Sequence, residues 1–236
     1  ADGSVRVFRM DRHVARLRQS ARALALPEPG AELLSQMILD VIDRVRDQVP
    51  DAPGALYLRP LLIGTTPNIG AAATPPAEAM LLVMASPVWD YFAGGMKPLR
   101  IYVEEQATRC ASHLGVVKTG GNYAAAMGPT LAARKAHGVD QVLFCPGGEV
   151  QETGAANFLL IRPGQILTRS LDTTFLHGVT RDSLLTMARD LGYRVEERVF
   201  TVAEMLEWVK TGEAALSGTA AVLAGVGTLV ARGAEH

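Results

Sequence analysis

Between residues 99 and 231 the apolar residues change period repeatedly. LRIYV at 99–103, QVLFC, NFLLI and QILT have the length and composition of strands, and the stretches between them carry helical spacing. GVTRDSLLTMARDLG at 178–192 is the strongest helix of this part and closes at Gly192, a residue that readily takes the left-handed conformation that stops helices. TVAEMLEWVKTG begins with Thr201 as N-cap and has Glu204 three residues on, the spacing of a capping box. NYAAAMGPTLAARKAHG at 122–138 reads as a helix with an irregularity at Gly128-Pro129, YRVEERVF as a strand, and EAALSGTAAVLAGV as a strand pair. The fold class this predicts is α+β, or mixed α/β.

The earlier part of the chain has its own pattern. Val14, Leu17, Ala21 and Leu24 line one face of a helix over 11–25, with Asp11 as its expected N-cap, and 31–49 repeats the spacing. Val5, Val7 and Met10 alternate as in a strand. After the turn cluster PDAPG, ALYLRPLLIGTT at 55–66 and MLLVMAS at 80–86 read as strands. The stretch SPVWDYFAGGMKP has a proline near each end and a glycine pair, the composition of a linker. The expected organisation is a small lobe over 1–87, a linker over 88–98 and a larger lobe over 99–236. Both chain ends are abrupt, which leads to the expectation that the start of the first lobe and the end of the second are missing.

Composition excludes several classes. With 48% hydrophobic residues the 236-residue chain has ample material for a core. Its 23 basic and 24 acidic residues give no one-signed field to attract nucleic acid or an anionic membrane. No apolar run approaches the roughly 18 residues of a spanning helix. Cys110 and Cys145 form no CxxC pair and the five histidines show no HxxxH spacing, so no metal site is expected. Two isolated cysteines fit a reducing cytoplasm.

Several short stretches carry chemistry. In VVKTGGNYAA, Lys118 ends an apolar run, and a desolvated lysine can serve as nucleophile or Schiff-base former. Gly120 and Gly121 would admit a planar ligand. In QETGAANF, Glu152 precedes an apolar strand, where a carboxylate could accept a proton from a ring nitrogen. In HGVTRDSLL, Gly178, Val179 and Thr180 start a helix whose free amides suit an anion. Thr219, in LSGTAAV, offers a hydroxyl and an amide to a phosphate. Tyr57 and Arg59, in YLRP, point to one face of a strand. Taken singly, these also read as a surface lysine, a solvated loop, a capped helix, a β-turn and an exposed strand face.

Their order and spacing are more specific. With YLRP followed by LIGTTPNIG, then KTGGNYAA, ETGAANF, FLHGVTRDS and SGTAAV, the chain resembles the fold-type-IV pyridoxal-phosphate enzymes over nearly its whole length, and among them the branched-chain amino acid aminotransferases. The resemblance implies that Lys118 holds pyridoxal 5'-phosphate covalently and shuttles the substrate's α-proton. It implies that Tyr123 donates to the cofactor's phenolic oxygen and that Glu152 pairs with its ring nitrogen. Arg16, the amides of Val179 and Thr180, and Thr219 would bind the phosphate. Tyr57, Arg59, the turn amides around Ala220 and, from a neighbouring subunit's TTPNIGAAA loop, Ile69 would bind substrate, so a homodimer is the smallest complete unit. The implied reaction moves the amine of L-leucine, isoleucine or valine to 2-oxoglutarate. Arg109 lies near the family's arginine upstream of the lysine, in a segment about one residue short, where the usual glycine-rich stretch reads ASHLG; no role is assigned to it. His177 stands where many members have proline. A D-amino acid aminotransferase or an aminodeoxychorismate lyase on the same fold is the nearest alternative, and a non-catalytic cofactor-binding homologue the alternative of another class.

Overall fold

The computed structural model describes residues 5–70, 74–89, 97–220 and 222–236. The chain divides into two compact units, Ala1–Ala93 and Gly94–His236. Most of the expected linker, residues 90–96, lies outside the described residues.

The first unit holds α1 (Met10–Ala23), α2 (Ala31–Arg44), β1 (Ala55–Gly64) and β2 (Ala79–Val88). The strands pair antiparallel over their full length, from Ala55 opposite Val88 to Gly64 opposite Ala79. Alternation divides the ribbon into two faces. Leu56, Leu58, Leu81 and Val83 meet the buried Val14 of α1 and Leu34, Ile38 and Ile42 of α2. The other face carries Tyr57 and Arg59 together with the exposed Leu61, Ile63, Met80, Leu82 and Met84.

Two expectations fail at the start of this unit. Residues 5–7 form no strand: the alternation of Val5 and Val7 ends at Met10, the first residue of α1, and Val7 packs into the helical core. Asp11 is not the N-cap. Arg9 is, in a left-handed conformation (φ 47°), and its carbonyl accepts from the amides of Arg12 and His13. Asp11 sits within the first turn, where its charge faces the positive end of the helix dipole. The second helix stops at Arg44, and a 3-10 turn over Arg46–Gln48 follows.

The second unit holds β3 (Leu99–Glu104), α3 (Gly120–His137), β4 (Gln141–Phe144), β5 (Asn157–Arg162), β6 (Gln165–Thr168), α4 (Val179–Asp190), β7 (Arg194–Glu197), α5 (Val202–Trp208), β8 (Glu213–Gly218), β9 (Val222–Ala231) and β10 (Ala234–Glu235). The sheet order is β4-β3-β9-β8-β5-β6-β7, with β10 on β9. The sheet is mixed: β3 runs parallel to β4 and β9, β6 parallel to β7, and β5, β8 and β9 are antiparallel neighbours. Strands β4, β5, β6 and β8 are buried on both faces. Ile101, Leu143, Leu160, Leu216 and Leu229 pack with Met205 and Trp208 of α5. On the opposite face Val142 and Phe144 meet Ala126 and Ala133 of α3, and Leu159 and Ile166 meet Leu185 and Ala188 of α4.

Local signals place the helix ends. Gly138 (φ 62°) stops α3, and Gly192 (φ 84°) follows α4, where the Tyr193 amide returns to the Ala188 carbonyl. The Thr201 hydroxyl accepts from the Glu204 amide at 3.2 Å, as a capping box requires. Pro129 lies inside α3 without ending it, and the Thr130 hydroxyl bonds the Ala126 carbonyl beside it. Both cysteines are free and buried. Among the described residues no helix is long and apolar enough to cross a membrane.

Candidate active site

In the second unit three loops and two helix starts meet around one carboxylate. Glu152 lies just before β5 and is 2% exposed. A buried carboxylate must be hydrogen-bonded or paired, and this one is. Its Oε1 accepts the Leu176 amide at 2.8 Å and lies 2.8 Å from Arg109 Nε. Its Oε2 accepts Asn157 Nδ2 at 2.9 Å. The Arg109 Nε contact is close but poorly aligned, so this nitrogen counts as an ion-pair partner and not as a hydrogen-bond donor. Burial pushes Glu152 up to about 7, against the pull of Arg109, the Leu176 amide and the Lys118 charge.

Lys118 and Tyr123 form the second element. The lysine precedes α3 by two residues and Tyr123 lies in the helix's first turns, which brings Nζ to 2.6 Å from the tyrosine hydroxyl. Asn122, 3% exposed, fixes this approach: its Nδ2 donates to the carbonyls of Leu114 and Val117 at 2.7 and 2.8 Å. Lys118 itself is exposed, which corrects the expectation of a lysine desolvated by the apolar run before it. Val116 and Val117 turn away into the loop, and Val117 alone of them is fully buried.

The third element is the start of α4. Its N-cap Gly178 brings no side-chain cap, so the first-turn amides, Val179 and Thr180 among them, have no acceptor within the helix. Gly178 is required by close approach: a Cβ there would lie 2.1 Å from Asn157 Oδ1. Asn157 is held in turn by donating to the Leu176 carbonyl at 2.8 Å, so one side chain ties the carboxylate to the helix start. Ser217 is paired in register with Asn157, and its buried hydroxyl has no hydrogen-bond partner. Beyond it Thr219 and Ala220 form the exposed turn between β8 and β9, and Val222 leaves the turn with φ 53°, an unusual conformation for a β-branched residue.

The other residues expected to bind cofactor or substrate lie in the first unit. Arg16 lies half-buried on α1, with Nη2 3.3 Å from His13 Nδ1. Tyr57 and Arg59 share a face of β1; the guanidinium lies 5.4 Å from the tyrosine ring centroid, and Nη2 is 3.4 Å from the hydroxyl. Ile69 is fully exposed, and residues 71–73 of its loop lie outside the described residues.

Three residues that sequence reasoning leaves without a role bear on this cluster: Arg109, Asn122 and Asn157. Asn122 and Asn157 lie inside the two most specific motifs, and a buried asparagine needs partners for its amide. That is the available signal. Gly115 belongs with them. Its carbonyl accepts Arg109 Nη2 at 3.0 Å, and a Cβ on it would sit 2.0 Å from the Thr174 carbonyl carbon. His177 stands close by, with Nε2 2.8 Å from the Asp172 carbonyl. Among the described residues no group of three or more His, Cys, Asp or Glu side chains could hold a metal ion.

The second unit thus brings together an amine beside a phenol, a buried carboxylate and a helix start without a side-chain cap. The family model for amino-transferase class IV matches residues 2–228, and the chain belongs to that family. A probable branched-chain-amino-acid aminotransferase of Streptomyces coelicolor is 39% identical over 243 residues, covering 99% of this chain and 66% of that protein. One from Staphylococcus aureus (strain MRSA252) is 36% identical, covering 97% and 65%. The chain therefore spans just under two thirds of the length of these relatives. Among solved structures it is similar to the branched-chain aminotransferase of the thermophilic archaeon Thermoproteus uzoniensis with norvaline (TM-score 0.79, 27% identity, 94% of this chain and 72% of that one). It is also similar to the branched-chain amino acid aminotransferase of Escherichia coli (TM-score 0.78, 26% identity, 96% and 74%). The fold is that of the fold-type-IV branched-chain aminotransferases, mixed α/β as expected.

Proposed function

We propose that this chain carries the pyridoxal 5'-phosphate site of a cytoplasmic branched-chain amino acid aminotransferase. Such an enzyme moves the amine of an L-branched-chain amino acid to 2-oxoglutarate. The observation that carries the reading is the pairing of Lys118 and Tyr123, 2.6 Å apart, with the buried Glu152 in one loop cluster. The residues fit the cofactor. Glu152 accepts two hydrogen bonds and one ion-pair contact within the protein, leaving acceptor capacity on Oε2 for a ring N–H. The first-turn amides of α4 and the unpartnered Ser217 hydroxyl are donors still to be used. Thr219 stands on the adjoining turn.

When bound, the cofactor supplies an electron sink for the bond broken at the substrate α-carbon. The chain's own residues do the rest. Lys118 Nζ would anchor the cofactor, and its amine would take the substrate's α-proton and return it. Tyr123 holds the lysine end in place through its hydroxyl. Glu152 would pair with the ring nitrogen and favour its protonated form. The Val179 and Thr180 amides and Thr219 would hold the phosphate, with Arg16 the further phosphate residue that the resemblance implies. Tyr57, Arg59 and Ala220 bind the substrate, with Ile69 supplied by a neighbouring copy, in a homodimer whose two lobes are those expected over 1–87 and 99–236. The exposed apolar face of β1 and β2 supports self-association, since a patch of this kind is seldom left to water.

The test is the absorption spectrum of the purified protein with pyridoxal phosphate. A yellow band that fades with L-leucine and returns with 2-oxoglutarate is expected, and Lys118→Ala should abolish turnover while leaving a folded protein. A band that ignores L-leucine but responds to D-alanine would transfer the assignment to D-amino acid chemistry. Wild-type turnover in Lys118→Ala would remove the lysine from the reaction.

A further inference from the structure

Arg109 is 4% exposed and sits on the loop before α3, with its guanidinium between two acceptors: Nε at 2.8 Å from Glu152 Oε1, and Nη2 donating to the Gly115 carbonyl at 3.0 Å. A buried cation without a counter-charge is costly, and Glu152 is the carboxylate within reach. The reverse also holds, since the other groups bonding Glu152 are the neutral Leu176 amide and Asn157 side chain. The oxygens divide the work. Oε1 takes both Arg109 and the Leu176 amide; Oε2 takes only Asn157 and keeps one lone pair open. Gly115 approaches the Thr174–Phe175 backbone more closely than any residue with a Cβ could, and its carbonyl accepts from Arg109.

We propose that Arg109 is a positioning residue that keeps Glu152 anionic and turns its open lone pair, on Oε2, toward the ring nitrogen of the bound cofactor. This rests on the reading of Glu152 as the partner of that nitrogen. The charge on Arg109 reaches the cofactor only through the carboxylate. The other titratable groups facing Glu152 are Lys118 and Cys110, both from the same loop. Lys118 becomes covalently engaged when the cofactor binds, and the buried Cys110 thiol stays neutral because burial raises it. Arg109 is then the cation left to hold the carboxylate ionised.

Two measurements on the full chain separate this proposal from the reading beneath it. The first is a carbon-13 NMR titration of the Glu152 carboxyl without cofactor, assigned with Glu152→Gln. In Arg109→Gln the midpoint should rise by about one unit or more. The second is the nitrogen-15 shift of ring-labelled pyridoxal phosphate bound to each protein. The ring nitrogen should be protonated at pH 8 in the wild type and lose that proton in Arg109→Gln. An unmoved midpoint and an unmoved ring signal would reduce Arg109 to loop packing and overturn the proposal. A moved midpoint with a ring nitrogen unprotonated in the wild type would overturn it from the other side, locating the failure in the cofactor reading. If Arg109→Gln does not fold, Arg109→Lys carries the test: a shorter cation cannot serve both Glu152 and Gly115, and the midpoint should rise by about half a unit. No movement there overturns the proposal equally.

Discussion

Glu152 is the carboxylate on which the proposed chemistry rests, and its burial has a stability signature. Its ordinary value is 4.5 and its folded value about 7. Below pH 4.5 both the folded and the unfolded chain bind this proton. Between the two values the unfolded chain has released it while the folded one keeps it, so stability falls as pH rises and levels off above 7. The expected loss is about 3 kcal/mol. Carboxylates held low by arginines, such as Glu197 beside Arg181 and Arg189, act in the opposite direction and at lower pH. Urea unfolding of the cofactor-free chain at pH 5 and pH 8, compared with Glu152→Gln, isolates the effect: the wild type should lose the larger share of stability. Equal losses would mean that Glu152 does not titrate in this range. At this scale much is legible in the sequence. Lys118, Tyr123 and Glu152 are readable because motif spacing along the chain places them. The pairing of Arg109 with Glu152 is not, because the partner comes from a distant loop and no local pattern links the two. The exposure of Lys118 escapes the sequence for a related reason: apolar neighbours along the chain bury their own side chains and not that of the next residue.

Among the elements, α4 shows how one small residue couples two parts of the site. Gly178 has an ordinary φ of -71°, so backbone freedom is not why glycine is needed there. The need is space, because Asn157 Oδ1 occupies the position of a Cβ and is held by bonds to Glu152 and Leu176. Gly178→Ala should therefore displace Asn157, loosening Glu152 and the helix start together. We expect a loss of cofactor affinity of about tenfold or more, equivalent to ~1.4 kcal/mol, measured by equilibrium titration of pyridoxal phosphate. An affinity within twofold of the wild type would show that Asn157 can yield. The elements themselves are largely visible in the sequence. Period and caps locate α4 and α5, since Gly192 and Thr201 act within a turn of their helices. The start of α1 is hidden because Arg9 in a left-handed turn does the work expected of Asp11, and nothing in an arginine's side chain advertises that conformation.

At the scale of the molecule, sequence patterns yield the class of fold but not the strand order. Apolar runs say that β3 and β9 are buried; they do not say that β9 lies between β3 and β8. That placement depends on contacts between segments far apart in the chain, which periodicity does not encode. Its energetic weight can be tested at Leu229, 2% exposed at the middle of the sheet. Leu229→Ala should cost about 2–5 kcal/mol in urea unfolding. A cost below about 1 kcal/mol would mean that the sheet closes around the gap.

The position of β9 also sets an order of events as the chain is made. β3 emerges early and can pair at once with β4, but its other edge waits for residues 222–231. Until then the lysine loop hangs from an open edge that invites wrong pairings. The turn bearing Thr219 is drawn into place by the same late strand. From the appearance of Lys118 until residues 222–231 are made, the newborn chain would thus hold this lysine without the strand that joins β3 to β8. Loading with an aldehyde cofactor becomes a late act of its maturation, after that strand has slotted home.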